Sequence, residues 1–532
     1  MKLARSLTAV ALLAPAALAQ DLCEGNGYGE AYIEVGPAYL GGFFAHDIGS
    51  PALPNGIQIL SISGGFTETT HPVIGDVCLD VTSPFYQIIV LPTGPDGNLH
   101  IDLFLPDIPE WVSNPPFYSN IATFEGGQWS MSKTIPLWFE NPNSWTPVSS
   151  MSANRIYHTA TNLGADGRDN RIRILITGGG EGTVTVPIAS QTTEIFDPLS
   201  RTFSPGPDLS VERSTHTATR LDDGRVLIVG GLDTNGVCHA TCEIFDLNNS
   251  TMTPAASMGT PRSGHTATLL DDGRVLVTGG FADYQNPGTA WLSALITSQN
   301  TGEIYDPVTD TWTPLAGPMA SKRSGHTATK MDDGRVLIVG GVDGGFTISF
   351  GTTVAPSFTG TCEIFDPADD SLTPVASLPG FGNGERAFHA AALLGNGDVI
   401  VTGGNYNGGG NGEAVSSNSS VVFDGTSWSV APPLPVEVAW HTMKTLPDGR
   451  ALVCGGLTLT EFDLTPKAFA AAIDGTTYTP LSPVGLNEGL PASAPITRGA
   501  MAAVEMHDGA FLFTGGVDTA VLSNALIYTP NP

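Results

Sequence analysis

Basic side chains are scarce in this chain: 22 Lys and Arg stand against 52 Asp and Glu, a formal net charge of −30. A surface of that sign repels phosphate backbones and anionic lipid, which makes nucleic acid and acidic membrane poor partners. Cysteine is scarce as well, six in 532 residues, too few for the disulfide scaffold of a small exported domain. No apolar run reaches the ~20 residues that a membrane-spanning helix needs. Catalytic signatures are missing too: there is no Gly-x-Ser-x-Gly elbow and no phosphate-binding glycine loop. His46, His71 and His100 are too scattered to suggest a metal site.

What is plentiful is glycine (64) and proline (40), a composition suited to many tight turns between short strands. The first residues differ from the rest. Lys2 and Arg5, the apolar run 7–18 and the small-x-small triplet Ala17-Leu18-Ala19 have the form of a secretory signal peptide over 1–19. Its removal would leave 20 basic against 52 acidic side chains, and the protein is expected to be secreted, with solubility outside the cell accounting for the charge. Residues 20–142 read as a small β-sandwich-like domain. The runs 87–91 (QIIVL) and 99–105 (LHIDLFL), separated by Pro-Thr-Gly-Pro-Asp-Gly-Asn, carry a hairpin signal. Cys23 and Cys78 both lie in this part and are a candidate disulfide. Cys242 and Cys362 share one place in two repeats and read as buried positions, whereas Cys238 and Cys454 have no evident mate.

From residue 143 onward the chain repeats itself. RSTHTATRLDDGRVLIVGG at 213–231 recurs at 262–280 and 323–341, with looser copies at 155–179, 386–404, 438–456 and 498–516. Aligned on His158, His216, His265, His326, His389, His441 and Met501, the spacings are 58, 49, 61, 63, 52 and 60 residues. Within each copy, the His-Thr-Ala-Thr strand, an Asp-Asp-Gly or Pro-Asp-Gly turn, an apolar strand ending in a glycine pair, a Glu-Ile-Phe-Asp strand and a fourth strand predict one four-stranded unit. Such a unit cannot bury both faces alone, so the units must stack and close into a ring.

Seven glycine pairs, an aromatic in the third strand, Trp or an apolar residue seven positions later (Tyr305 to Trp312) and the Arg-x-x-His before the next unit resemble the kelch motif. The resemblance covers 143–532. It implies an all-β protein: a seven-bladed kelch-type β-propeller after the small β-sandwich-like domain, akin to secreted kelch proteins of bacterial type and to the galactose-oxidase-like class of propellers. Phe203, Met252 and Leu372 replace the Trp in three units, and Val438 replaces the Arg in the sixth. The last unit has only three strands. Residues 144–148 (SWTPV) match the fourth-strand pattern 311–315 (TWTPL), so residues 143–150 are expected to complete the last blade.

Function is less legible. The repeat histidines lie too far apart around a ring to share an ion, and they read as structural. Arg155, Arg213, Arg262, Arg323, Arg386 and Arg498 open the innermost strand on the face where the long second-to-third connections emerge. Their place in the repeat favours pairing with an acidic residue of the same or the next blade. The other reading gathers them with Tyr284, Trp291 and Tyr406 as a ligand-binding face. The resulting expectation is an extracellular binding or adhesion scaffold for a protein or polysaccharide, without catalytic residues, metal or cofactor. The resemblance also admits a carbohydrate-modifying enzyme, copper radical oxidase-like or sugar epimerase-like. Galactose oxidase itself needs two Tyr, two His and a Cys cross-linked to one Tyr. That set does not map here, since Cys238 and Cys454 have no suitably placed Tyr and, within 143–532, only His239 and His507 lie outside the repeat positions.

Overall fold

Alternating and continuous apolar runs punctuated by Gly, Pro and Asp leave the chain one way to hide its apolar side chains: short strands in stacked sheets. The computed structural model describes the backbone of twelve strands between Tyr32 and Glu140. It further describes residues 144–532 apart from 166–171, 184–185, 286–294, 345–356, 381–383, 409–413, 461–463, 482–497, 507–508, 519 and 531–532. The chain divides into two compact units, residues 1–142 and 143–532. Cys23, Cys78, Trp291 and the signal-like segment lie outside the described residues.

In the first unit, Phe43–Gly49 pairs antiparallel with Tyr32–Val35 and Leu99–Phe104. A second sheet runs Gln128–Met131, Phe117–Glu125, Ile57–Ser63, Gln87–Pro92, with Ile135–Leu137 also on Phe117–Glu125. The expected hairpin is therefore not formed: Gln87–Pro92 and Leu99–Phe104 belong to different sheets. Alternation specifies that a strand has one face to bury, not which strand it pairs with.

The second unit is a seven-bladed propeller. Each blade is a four-stranded antiparallel sheet, as in Thr217–Arg220, Val226–Val229, Cys242–Asp246 and Thr251–Ala255. The seven first strands touch their neighbours in a closed circle around the axis, the last against the first. Six of the second strands are buried along their whole length and that of the first blade from Ile174 to Thr177, and their alternate residues enter successive interfaces. Val226 and Ile228 pack with Leu175 of the first blade, whereas Leu227 and Val229 pack with Val275 and Val277 of the third. Seven such clusters fill the seven interfaces.

The glycine pairs set how closely the blades approach. In all seven, the second glycine donates its N–H to the carbonyl at the head of the next blade (for example Gly231 to Arg262 and Gly516 to Arg155), at 2.6–2.8 Å. The first glycine lies under that carbonyl and the next histidine. A Cβ on Gly340 would sit 2.6 Å from the Arg386 oxygen and 2.9 Å from His389 Cε1, and its φ of 62° is itself unfavourable for other residues.

The final blade runs Ala502–Glu505, Phe511–Thr514, Ala525–Thr529 and, outermost, Ser144–Val148 from the start of the unit. Trp145 lies opposite Tyr528 with ring centroids 4.7 Å apart, and 5.0 Å from Phe513. This side chain is 2% exposed and anchors the closing strand. Trp145→Ala should therefore cost about 3–5 kcal/mol, read as a lowered midpoint in urea unfolding of the full chain. An unchanged midpoint would show that the closing strand is dispensable.

Candidate functional site

Two residues after each Arg position the backbone turns left-handed. Tyr157, Thr215, Gly264, Gly325, Phe388, Trp440 and Ala500 have φ of 51–60°. The N–H of each, from Thr215 to Ala500, donates to the carbonyl of its predecessor at 2.8–3.1 Å, which strings these residues into a belt around the axis. The belt heads the first strands and forms one mouth of the central channel. All seven residues are half-buried.

The mouth is lopsided. Thr215, Gly264 and Gly325 make one side small. On the other, Phe388 stacks on Trp440, centroids 4.6 Å apart and planes 23° from parallel. Tyr157, Trp440 and Ala500 pack together on Ile156, Leu457 and Val517. Gly325 makes room for the Phe388 ring, whose Cε1 would lie 2.5 Å from a Cβ there. A left-handed non-glycine residue costs on the order of 1–3 kcal/mol. Large rings held there at that cost, when two blades use glycine, make the mouth the leading candidate site. Burial pushes the Tyr157 phenol above its usual range and keeps it protonated.

A collar of second-to-third-strand hairpins rises beside the belt. Bridges such as Ser263 to Phe281, Ser324 to Val342, Ala387 to Asn405 and Ala439 to Leu457 tie each hairpin's base to the residue before the left-handed one. The hairpins of blades three to six touch in series. Tyr406 is half-buried in the collar strand Asn405–Asn407, and Tyr284 lies on Phe281–Gln285, opposite Ile296.

The six arginines lie elsewhere. They are inside the blades, 0–3% exposed, because the carbonyls around each glycine pair and, in four blades, the third-strand Glu draw the guanidinium inward. Arg155 pairs with Glu194 (3.1 Å), Arg213 with Glu243 (2.9 Å), Arg262 with Glu303 (3.1 Å) and Arg323 with Glu363 (2.9 Å). Nη1 of each of these four donates to the first glycine's carbonyl at 2.7–2.8 Å. The Glu also accepts from the link entering the blade, at the N–H of Ser152, Ser210, Gly259 or Ala320. These arginines are clamps between the first three strands, not a face offered to a ligand. Arg386 and Arg498 have no such Glu: Val421 and Leu526 occupy the position. Burial lowers both guanidiniums to about 10.

Each repeat histidine reaches the previous blade. His158 Nε2 meets Thr514 Oγ1 at 2.8 Å, His216 meets Thr177 at 2.9 Å, His326 meets Thr278 at 3.0 Å and His441 meets Thr402 at 2.8 Å, while His265 and His389 use Thr217 and Thr327. Among the described residues no three of His, Cys, Asp and Glu gather around one point. Cys242 and Cys362 are buried thiols that burial pushes up to about 12, and burial also raises Cys454. With the repeat histidines tied to neighbouring blades and no cluster of His, Cys, Asp and Glu beside them, the described donors do not fit a copper centre.

Residues 261–319 match the kelch motif family model. Two galactose oxidases of Gibberella zeae are each 29% identical to this chain over 98 residues. That match takes in 18% of this chain and 13% of each relative, so it spans about an eighth of their length. A solved fungal alcohol oxidase of the AA5 family, in complex with copper, superposes with a TM-score of 0.52 at 17% identity, over 73% of this chain and 77% of that one. The protein is a kelch-repeat β-propeller. It shares the fold of that alcohol oxidase, and the segment of sequence likeness is to galactose oxidases.

The belt was findable in the sequence: the residue before the repeat histidine is aromatic in blades one, five and six and Gly in three and four.

The histidines also set an acid limit. Burial holds five of them down to about 3 and His326 well below its usual value. The unfolded chain protonates these rings below pH ~6.5 while the folded chain resists until about 3. Their stabilisation is thus complete above pH ~6.5 and lost progressively as pH falls towards 3, by up to ~1.4 kcal/mol per pH unit for each ring. Melting temperature should drop steeply between pH 6.5 and 4.5, and His265→Gln should flatten the slope by roughly one sixth. A melting temperature constant over that interval contradicts this account.

Proposed function

We propose that the protein is an extracellular carbohydrate-binding propeller whose ligand enters the axial mouth on the hairpin face. The observation that supports this reading is the half-buried Trp440–Phe388 stack, held in left-handed backbone beside a glycine-floored side of the same opening. A sugar ring presents an apolar face to an indole, and hydroxyls around its rim to polar neighbours such as Thr215. Likeness to galactose oxidase makes galactose-containing glycans the first to try.

That likeness also supports a second reading, copper-dependent oxidation of a sugar or alcohol. The donor geometry among the described residues speaks against it. Purified protein assayed for copper, and for peroxide release on galactose and simple alcohols, separates the two readings. Stoichiometric copper with peroxide release establishes the second.

For the binding reading, a glycan array followed by titration calorimetry on the best ligand supplies the test. Trp440→Ala should weaken binding by roughly 30-fold, the scale of a buried aromatic anchor, while Arg262→Ala should lower the melting temperature and leave affinity per folded molecule unchanged. Equal affinity in wild type and Trp440→Ala would remove the mouth from consideration.

A further inference from the structure

Four blades close the Arg–Glu clamp, and the others depart from it in two ways. The sixth has lost every part: Val438 replaces the Arg, Ala471 stands opposite Val453 where a Glu belongs, and Pro435 follows Leu434 where the link N–H would be. That blade is apolar there and has no charge to balance. The fifth has lost the carboxylate and its second donor but kept the cation. Val421 stands opposite Val401, as Glu363 stands opposite Ile338. Leu378 bonds Gly360 as Leu209 bonds Gln191, so Pro379 takes the place of Ser210 and brings no N–H. In the seventh, Leu526 replaces the Glu and Arg498 remains.

These two guanidiniums are left incomplete. Arg498 is 0% exposed, and its Nε and Nη2 have no hydrogen-bond partner among the described residues. Its Nη1 has only long contacts of 3.4 Å to Gly515 and Asn524. In the four closed clamps it is Nη2 that grips the Glu, at 2.9–3.1 Å, with Nε joining it for Arg155 and Arg213 but not for Arg262 and Arg323. Arg386 is 3% exposed, faces Val421 where the others face Glu, and reaches Gly403 through Nη1 at 3.3 Å, longer than the 2.7–2.8 Å of the closed clamps. The Asp518 carboxylate and the Cys454 thiol act on Arg498 only at a distance, and the Cys362 thiol alone acts so on Arg386.

An uncompensated charge at this depth is strongly destabilising, whereas a guanidinium fork matches a planar carboxylate in shape and charge. Val421 is shorter than Glu by about the carboxyl group, the size of a formate ion, whereas Leu526 reaches as far as the Glu carboxyl carbon and leaves no such room. We propose that Arg386 holds a small carboxylate from solution, seated where the Glu carboxyl sits in the other blades, so that an exchangeable anion completes the fifth clamp. The proposal is independent of what enters the axial mouth.

The test uses the full chain and formate as the probe, with thermal melts in sodium formate and in sodium chloride at equal ionic strength. Formate should raise the melting temperature by roughly 2 °C over chloride. The variant Val421→Glu carries its own carboxylate. It should melt above wild type in chloride and gain nothing from formate. Arg386→Met removes the cation and should lose the formate increment whether or not the Glu variant folds. Equal wild-type melts in the two salts, or an increment that survives in the Met variant, overturns the proposal.

Discussion

The contact on which the propeller depends is the hydrogen bond from the second glycine of each pair to the head of the next blade. It requires backbone to pass over backbone with no side chain between, which only glycine permits at the positive φ found there. Seven such bonds contribute modestly, about 0.5–1.5 kcal/mol each, far less than the interface clusters they adjoin. Their effect is to fix spacing and angle. Once the glycines meet the next carbonyl, the second strands of adjacent blades lie at the distance where Leu227 and Val229 fill against Val275 and Val277. The histidine packed over the first glycine then reaches threonine in the preceding blade.

The same geometry accounts for the mouth. A chain that gives its carbonyl to the glycine pair must turn sharply before entering the first strand, and the left-handed residue makes that turn in every blade. Glycine does this without strain at 264 and 325. Where Tyr157, Phe388 and Trp440 do it instead, the belt of hydrogen bonds and packing on Ile156, Leu457 and Val342 hold them. Repetition thus supplies seven equivalent positions around one opening, and sequence divergence at those positions makes the opening one-sided.

Much of the architecture was readable from residues alone. The glycine pairs counted the blades, and the likeness of 144–148 to 311–315 identified the strand beside Ala525–Thr529. The arginines were harder. Sequence placed them at the head of the first strand on the hairpin side but could not say which way the side chain turned, and the third-strand Glu that draws it inward was noted only as part of a strand pattern. Joint loss of Arg and Glu in the sixth repeat, at Val438 and Ala471, was the available clue. The aromatic mouth is hard to read from sequence because it is built at the variable residue before the repeating histidine, outside the repeat pattern itself. Strand partnership in the first unit was not legible, since alternation is satisfied by either sheet.

Closure by Ser144–Val148 also orders events during synthesis. This strand leaves the ribosome before any blade is complete, and its partner, Ala525–Thr529, follows only after the six intervening blades. At ~5–20 residues per second the interval is on the order of tens of seconds. Throughout it, Trp145 has no Tyr528 or Phe513 to cover it, and the blades already formed make an open arc with an apolar sheet face at each end. The nascent protein therefore depends on whatever shields those two faces, and its ring can become a single cooperative unit only after translation has passed Thr529.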